Sequence, residues 1–377
     1  MNSHWWQLPN PANFIDRIVS DLRQGKNVFL ALPDYAPTGL RVALNTRVIQ
    51  NDFWYWRPLS LQENHTFIDD PVRLLFNHFA LKTKNSPLNV KTLVACKSFY
   101  GHIIWLEGLT VPIWKTWHAF FEEYAYQSRG LSEWDRSLFC VPLIGNLATQ
   151  TLPKEDLTLS IRKWRGMVER LDMWLYISLL SKDQYFTSPL EKQLKIAIIT
   201  ELAGTDPQLV PLLFKLPFEE LLAPLEKLAQ IAEERNWHKE QIYEPKWHLG
   251  MLDEMEKTSL VHAAAIALQG HKSEAELQRR IWRAQIGILF PFLEEQRIYF
   301  LKELRSFLQL PWETPSGTIT DSQDLELSHL DYQAQNFPLS QKTKQLLTVL
   351  TEIRHSLAHL QPINATQWNK LQCLLKK

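Results

Sequence analysis

Near the end of the chain, Arg354-His355-Ser356-Leu357-Ala358-His359-Leu360 gathers one permanent cation and two imidazoles within two helical turns. A guanidinium is suited to a phosphate, and histidine is the side chain that titrates near neutrality. Cutting a ribose phosphodiester without a metal requires a base for the 2′-hydroxyl proton and an acid for the departing 5′-oxygen. It also requires a cation for the charge that develops at phosphorus. These residues are a minimal kit for that reaction. They equally suit a plain helix end, with Arg and His bonded to backbone carbonyls.

A helix must present them. Leu346, Leu347, Val349, Leu350, Ile353, Leu357 and Leu360 recur at helical spacing, which predicts a buried apolar stripe on a helix capped by Ser340. Arg354 falls on the margin of that stripe, and His355 and His359 stack on the more exposed side. On a straight helix Arg354 and His359 point ~140° apart. They can share one phosphate only through the long reach of Arg, or by facing a second copy of the helix.

The segment resembles the signature of the HEPN superfamily, many of whose members are metal-independent ribonucleases. In its R-x-x-x-x-H pattern Arg354 is the Arg, Ala358-His359 the ending, and His355 stands where Asn is more usual. Leu360-Gln361-Pro362-Ile363-Asn364 and a short helix over Ala365–Leu375 look like the family's exit from its motif helix. The resemblance covers roughly the last third of the chain. It implies that His359 acts as acid/base, that Arg354 holds the phosphate and that His355 assists by a hydrogen bond. It further implies a site completed by two protomers, a 2′,3′-cyclic phosphate product and no divalent metal. A HEPN fold with a dead site fits the same residues. Arg279, Arg280 and Arg283 would either extend a phosphate-binding face or form a solvated helix face.

The first part of the chain alternates short apolar runs with amphipathic stretches. Helices are expected at Phe14–Gln24, Gly39–Ile49, Pro71–Leu81 and Trp114–Ser128. Strands are expected at Asn27–Pro33, Phe53–Trp56, Val90–Cys96, Gly101–Leu106, Leu138–Leu143 and Leu157–Trp164. This βα alternation predicts a mostly parallel sheet covered by helices. The layout resembles a P-loop NTPase of the AAA+/STAND type. Val28–Leu32 lies where a Walker A strand belongs, Pro33–Arg41 where the phosphate loop belongs, and Ile103–Glu107 where a Walker B strand ends in an acid. The loop departs from G-x-x-x-x-G-K-[ST]: Gly39 remains, Leu40 replaces the Lys and Arg41 the hydroxyl. Backbone amides, a lysine and a metal-binding hydroxyl are what that motif supplies to a nucleotide. Gly39, Arg41 and Glu107 are therefore candidates for a degenerate nucleotide site, and hydrolysis is not expected.

Composition narrows the class. In 377 residues, 45% hydrophobic with 22% charged residues indicates real cores, and the scatter of 15 Trp points to core residues rather than one stacking platform. Lys plus Arg equals Asp plus Glu at 41 each, so RNA contact must come from a local patch. Arg162, Lys163, Arg165 and Arg170 form the densest basic cluster in the first half, most simply a charged helix start. The three cysteines lie far apart, no H-E-x-x-H occurs, and no apolar run approaches ~18 residues. A soluble, cytoplasmic protein with no membrane contact and no metal is expected.

The expected fold is a mostly parallel α/β domain over residues 1–165, a helical connector over 166–248 and a HEPN-like all-α bundle over 249–377. In the connector, helices are expected at Val168–Leu180, Pro189–Leu202 and Pro217–Arg235. In the bundle they are expected at Met251–Leu268 and Ser273–Leu308, with Ser273 and Glu276 as a capping box and Pro291 as a kink. On the second, Leu277, Ile281, Ala284, Ile288, Phe292, Gln296 and Tyr299 mark the inner face. Pro311–Pro338 reads as a long loop. The function expected is a regulated endoribonuclease of a bacterial conflict or anti-phage system, acting on RNA as a homodimer or with a protein partner. The alternative is a non-enzymatic adaptor with both halves degenerate, which the balanced charge favours. In a third reading the N-terminal half holds a nucleotide as a switch; otherwise no cofactor is expected.

Overall fold

The computed structural model describes residues 4–49, 54–61, 66–82, 86–270, 274–314 and 317–376. An α/β half is followed by a mostly helical one. The chain divides into two compact units that are discontinuous in sequence. One comprises residues 1–176, 205–208 and 244–262, and the other residues 177–204, 209–243 and 263–377. The expected connector over 166–248 is thus divided between them.

In the first unit α1 (Pro9–Arg23) leads into β1 (Asn27–Leu32), α2 (Leu40–Ile49), β2 (Tyr55–Ser60), α3 (Pro71–His78) and α4 (Val90–Val94). Then come β3 (His102–Glu107), α5 (Val111–Gln127), β4 (Leu138–Ile144), β5 (Leu159–Lys163) and the first residues of α6 (Arg170–Leu180), which belongs to the second unit from Ile177 on. All five strands pair in parallel in the order β2-β3-β4-β1-β5. β1 lies between β4 and β5 and is buried along its whole length, as its unbroken apolar run demands. Phe29, Ile104, Phe139 and Val141 face a core shared with Trp114, Trp117, Phe121 and Tyr124 of α5 and with apolar residues of α3 and α4. Alternate strand residues face the opposite side, where α1 and α2 lie. The crossovers leaving β1 and β4 move in opposite directions along the sheet. With right-handed connections they lie on opposite faces, which makes the C-terminal ends of β1 and β4 the topological switch point.

Two expectations in this unit fail. Val90–Cys96 is not a strand: Asn89 accepts a hydrogen bond from the Thr92 amide at 2.9 Å and starts α4 there. Leu252–Met255 and Thr258–Val261 form an antiparallel hairpin, β6 and β7, rather than the first part of a helix over Met251–Leu268. Its turn holds Glu256 and Lys257 at φ of +50° and +64°, without the Gly or Asn that normally announces such a turn. Phe53, placed at the start of a strand, lies outside the described residues.

The second unit contains α7 (Pro189–Ala203), α8 (Val210–Phe214), α9 (Phe218–Leu222), α10 (Leu225–Glu234), α11 (Ala263–Ala267) and α12 (Glu274–Glu303). It continues with a hairpin of β8 (Trp312–Thr314) and β9 (Gly317–Ile319), then α13 (Leu327–Ala334), α14 (Gln341–Ala358) and α15 (Ala365–Leu375). The helix expected over Pro217–Arg235 is broken at Ala223-Pro224, because Pro224 has no amide to continue it. The long loop expected over Pro311–Pro338 instead holds the hairpin and α13. α12 packs along α7 and against α14, which also contacts α13 and α15. Its buried stripe runs Leu277, Ile281, Gln285, Leu289, Leu293, stepping by four from the start. Ile288, Phe292 and Gln296 flank this stripe half-buried, and Tyr299 is largely exposed. Pro291 lies inside α12, which continues on both sides of it. Ser273, half of the expected capping box, lies outside the described residues. Among the described residues no helix is long and apolar enough to cross a membrane.

Candidate functional site

The end of α14 is held in place by its neighbours. Ser340 caps the start, accepting from the Thr343 amide at 3.1 Å. Leu347, Val349, Leu350, Ile353 and Leu357 are buried, Leu346 is half-buried, and that stripe fixes the helix's rotation. At the other end the Gln361 amide donates to the Ser356 carbonyl at 2.9 Å and the Leu360 amide to Leu357 at 3.3 Å. These two bonds form a Schellman ending, with Leu360 in the left-handed position at φ +59°. Leu360 is thereby turned outward and 66% exposed, which removes it from the expected stripe.

Two residues of α12 complete the clamp. The indole of Trp282 donates to the Leu357 carbonyl at 2.8 Å. Fully buried Gln285 accepts from the Ile363 amide at 2.7 Å and donates back to its carbonyl at 3.2 Å. Asn364 caps α15, and Gln367 of that helix donates to the Ser356 hydroxyl at 3.0 Å.

On this support His355 and His359 come together. Both are exposed, with ring centroids 4.3 Å apart and planes inclined at 58°. The two imidazoles lie in contact while both remain open to solvent. Arg354 is engaged elsewhere. Its Nη1 lies 2.9 Å from Oε2 of Glu326, at the start of α13, and its Nε is buried without a hydrogen-bond partner. The last turn of a helix also carries negative partial charge, which opposes an anion there. A phosphate must therefore draw Arg354 away from Glu326, or find its cation on another copy of the chain. No residue pattern in the sequence marks Glu326, Trp282 or Gln285 as site residues. Glu326 lies between Pro311 and Pro338, where the sequence predicts a loop, and the other two act through backbone carbonyls and amides.

The three candidate arginines near the start of α12 are committed to acids. Arg279 and Arg280 both meet Glu276, at 2.8 and 3.2 Å, and Arg283 lies 3.4 Å from Glu201. Arg162, Lys163 and Arg165 of the basic cluster in the first unit are likewise engaged within the fold. Arg162 grips the buried carboxylate of Asp21, which the Ser160 hydroxyl also reaches at 2.9 Å. Arg165 meets Glu254 at 2.7 Å, and the Lys163 ammonium sits 4.3 Å from the Trp247 ring centre. Arg162 and Lys163 lie on β5 rather than at a helix start.

The degenerate nucleotide site satisfies itself. Arg41 Nη1 pairs with Glu107 Oε1 at 2.7 Å, and the Trp105 indole holds the other carboxylate oxygen at 2.8 Å. The residues standing for the two halves of a nucleotide–metal site thus bind each other. Gly39, at φ +88°, is covered by Trp6, whose indole donates to the Thr38 carbonyl at 2.9 Å. In the loop before it, the Asp34 amide is bonded to the His248 carbonyl and the Ala36 amide to Pro33. At the switch point the Asp34 carboxylate fills the space beside Gly145, where an added Cβ would fall 1.8 Å from Oδ1. Burial raises the Asp34 pKa, with His248 partly opposing it. An acid occupies the place where a phosphate would need amides and a cation.

Among the described residues no group of three or more His, Cys, Asp or Glu is arranged to hold a metal ion. No protein-family model and no curated protein matches the chain. The roles of its residues therefore rest on geometry.

Proposed function

We propose that this protein is a metal-independent endoribonuclease whose site is the end of α14, with the α/β unit acting as a scaffold or sensor. The observation that carries this reading is the exposed His355–His359 pair beside Arg354, on a helix end fixed by Trp282 and Gln285. In the reaction one imidazole takes the proton of the 2′-hydroxyl, and the freed oxygen attacks phosphorus. The bond to the 5′-oxygen breaks, and that oxygen receives a proton from the conjugate acid. Arg354 balances the charge of the phosphorane. The products are a 2′,3′-cyclic phosphate and a 5′-hydroxyl. His359 takes the acid/base role and His355 supports it from 4.3 Å. Because Arg354 is turned to Glu326 within one chain, the reaction uses a site shared by two copies, with RNA as the substrate. A bacterial conflict system, in which a toxic nuclease is kept in check until triggered, is the setting proposed.

Mixing tests this. Arg354→Ala and His359→Ala chains are each inactive alone. Unfolded together and refolded as mixed dimers, they regain up to a quarter of wild-type cleavage if one intact pair per dimer suffices (roughly the share set by random pairing). No recovery in demonstrably mixed dimers contradicts the shared site.

The adaptor reading draws on one specific feature, the Arg354–Glu326 pair, which gives Arg354 a structural partner without any substrate. On that reading His359→Ala leaves the protein's biological activity intact, while loss of a partner protein abolishes it.

A further inference from the structure

α14 presents one polar stripe to solvent, and the candidate site is only its last part. Gln341, Gln345, Thr348, Glu352, His355 and His359 follow one another in steps of three and four, turned away from the buried Leu347, Leu350, Ile353 and Leu357. Along the earlier part of this stripe lies an open groove of about 430 Å³, walled by Gln335 at the end of α13 and by Lys370, Cys373 and Leu374 of α15. Its floor includes Gln345, Thr348 and Glu352. Glu352 stands three residues before His355, about 4.5 Å along the helix axis. The groove and the two imidazoles therefore form one continuous surface on one helix. A groove of this volume suits a drug-sized ligand, hence about one or two nucleotides rather than a duplex.

The cations of this unit differ in what they already hold. Arg354 is matched to Glu326, Arg279 and Arg280 to Glu276, Arg283 to Glu201 and Arg297 to Glu294. The two lysines of the groove have no acid partner among the described residues. Nζ of Lys344 donates to the neutral Gln335 carbonyl at 2.7 Å, and Lys370 is exposed. Against them stands one acid, Glu352, exposed and likewise unpaired among the described residues. Lys344, Thr348 and His355 lie along one flank of α14, and Glu352 is turned about 60° from His355. A phosphate backbone can follow that flank to the imidazoles. Glu352 and Gln345 are then left to face base edges, whose N–H groups a carboxylate or an amide oxygen accepts. We propose that this groove holds the single-stranded RNA flanking the scissile bond, with its phosphates against Lys344 and Lys370. The proposal rests on the nuclease reading and gives its substrate a path.

Cys373 reports on the groove directly, because it is exposed while Cys140 is buried and Cys96 half-buried. The full-length chain carrying His359→Ala, which spares the probe, is alkylated with iodoacetamide with and without a mixed-sequence 12-nucleotide RNA. Mass spectrometry locates the label. RNA at about ten times its Kd should slow alkylation of Cys373 about tenfold by occupancy alone, and leave Cys96 unchanged. Anisotropy of the fluorescein-labelled strand gives the salt dependence of binding, whose slope should fall by about 0.7 for each of Lys344→Ala and Lys370→Ala. Lys370 is exposed and unpaired among the described residues, so its variant reports even if Lys344→Ala disturbs the end of α13. RNA that binds without protecting Cys373, or with a salt slope unchanged in the Lys370 variant, overturns the proposal, as does an absence of RNA binding. Protection that rises with protein concentration in the absence of RNA assigns the groove to a second copy and overturns it too. Cleavage by the wild type in EDTA is scored separately. Its absence, with Cys373 still protected by RNA, refutes the nuclease reading and leaves the RNA groove.

Discussion

Glu326→Gln is the change that most directly probes how Arg354 is held. The Arg354–Glu326 contact measures 2.9 Å, with the two side chains 29% and 48% exposed. A pair this open to water contributes about 0.5–1 kcal/mol. Glutamine keeps the shape and can still accept one hydrogen bond, so folding stability should fall by no more than about that amount. A phosphate that draws Arg354 away must break the pair first. Removing the carboxylate should therefore tighten RNA binding by the same free energy, about two- to fivefold at 1.4 kcal/mol per decade. Anisotropy with an uncleavable 2′-deoxy-substituted strand reads the affinity, urea denaturation reads the stability, and a labelled RNA reads the rate. Lower affinity or slower cleavage in a folded Glu326→Gln protein would refute the reasoning. It would make Glu326 an orienting partner that holds Arg354 ready rather than a competitor for it.

Gly145→Ala should lose roughly 2–4 kcal/mol in urea denaturation, from the left-handed φ of +58° and the clash with Asp34. Asp34→Ala in the same chain should restore the clash part and leave the backbone part; no restoration contradicts the contact. Gln285→Leu leaves the Ile363 amide and carbonyl unpaired, so a loss of about 2–4 kcal/mol is expected, together with slower RNA cleavage as the exit of α14 loosens. A stability change near zero would show that the bridge is dispensable. Burial lowers the pKa of His78, His102 and His248 below the ordinary 6.5, with Asp34 partly opposing the shift for His248. Below that value these three rings bind more protons in the unfolded chain than in the native one, while the carboxyls of Asp34 and Asp253, raised by burial, act the other way nearer the carboxylate range. The thermal midpoint should therefore fall as pH drops from about 7 towards 5. A midpoint that rises over this range, in a protein still monodisperse, contradicts the burial of these rings.

Much of the fold was legible because its signals are local. The apolar run of β1 forces a strand covered on both faces, and the stripe of α14 with Ser340 ahead of it gave a helix of the right position and rotation. What escaped depends on less local information. The turn at Glu256-Lys257 adopts positive φ without glycine, so helix-forming residues around it were read at face value. The apolar residues Val90, Leu93 and Val94 suit a strand or a short helix alike, and Asn89 decides for the helix by capping α4. At the candidate site, His355 and His359 were readable from spacing alone, as four residues make one turn. The partner of Arg354 was not, because Glu326 is brought to it from another helix. Likewise Gly39, Arg41 and Glu107 were recognisable as positions, whereas only the structure reveals that Arg41 and Glu107 neutralise each other.

The central claim is that the end of α14 cuts RNA without a metal. Purified wild-type protein, Arg354→Ala and His359→Ala should be incubated with total RNA and with tRNA in EDTA, and the products analysed for their terminal groups. The account predicts cleavage by the wild type that leaves 2′,3′-cyclic phosphates and is lost in both variants. Cleavage that persists in His359→Ala and Arg354→Ala, or that disappears on adding EDTA to the wild type, would contradict it.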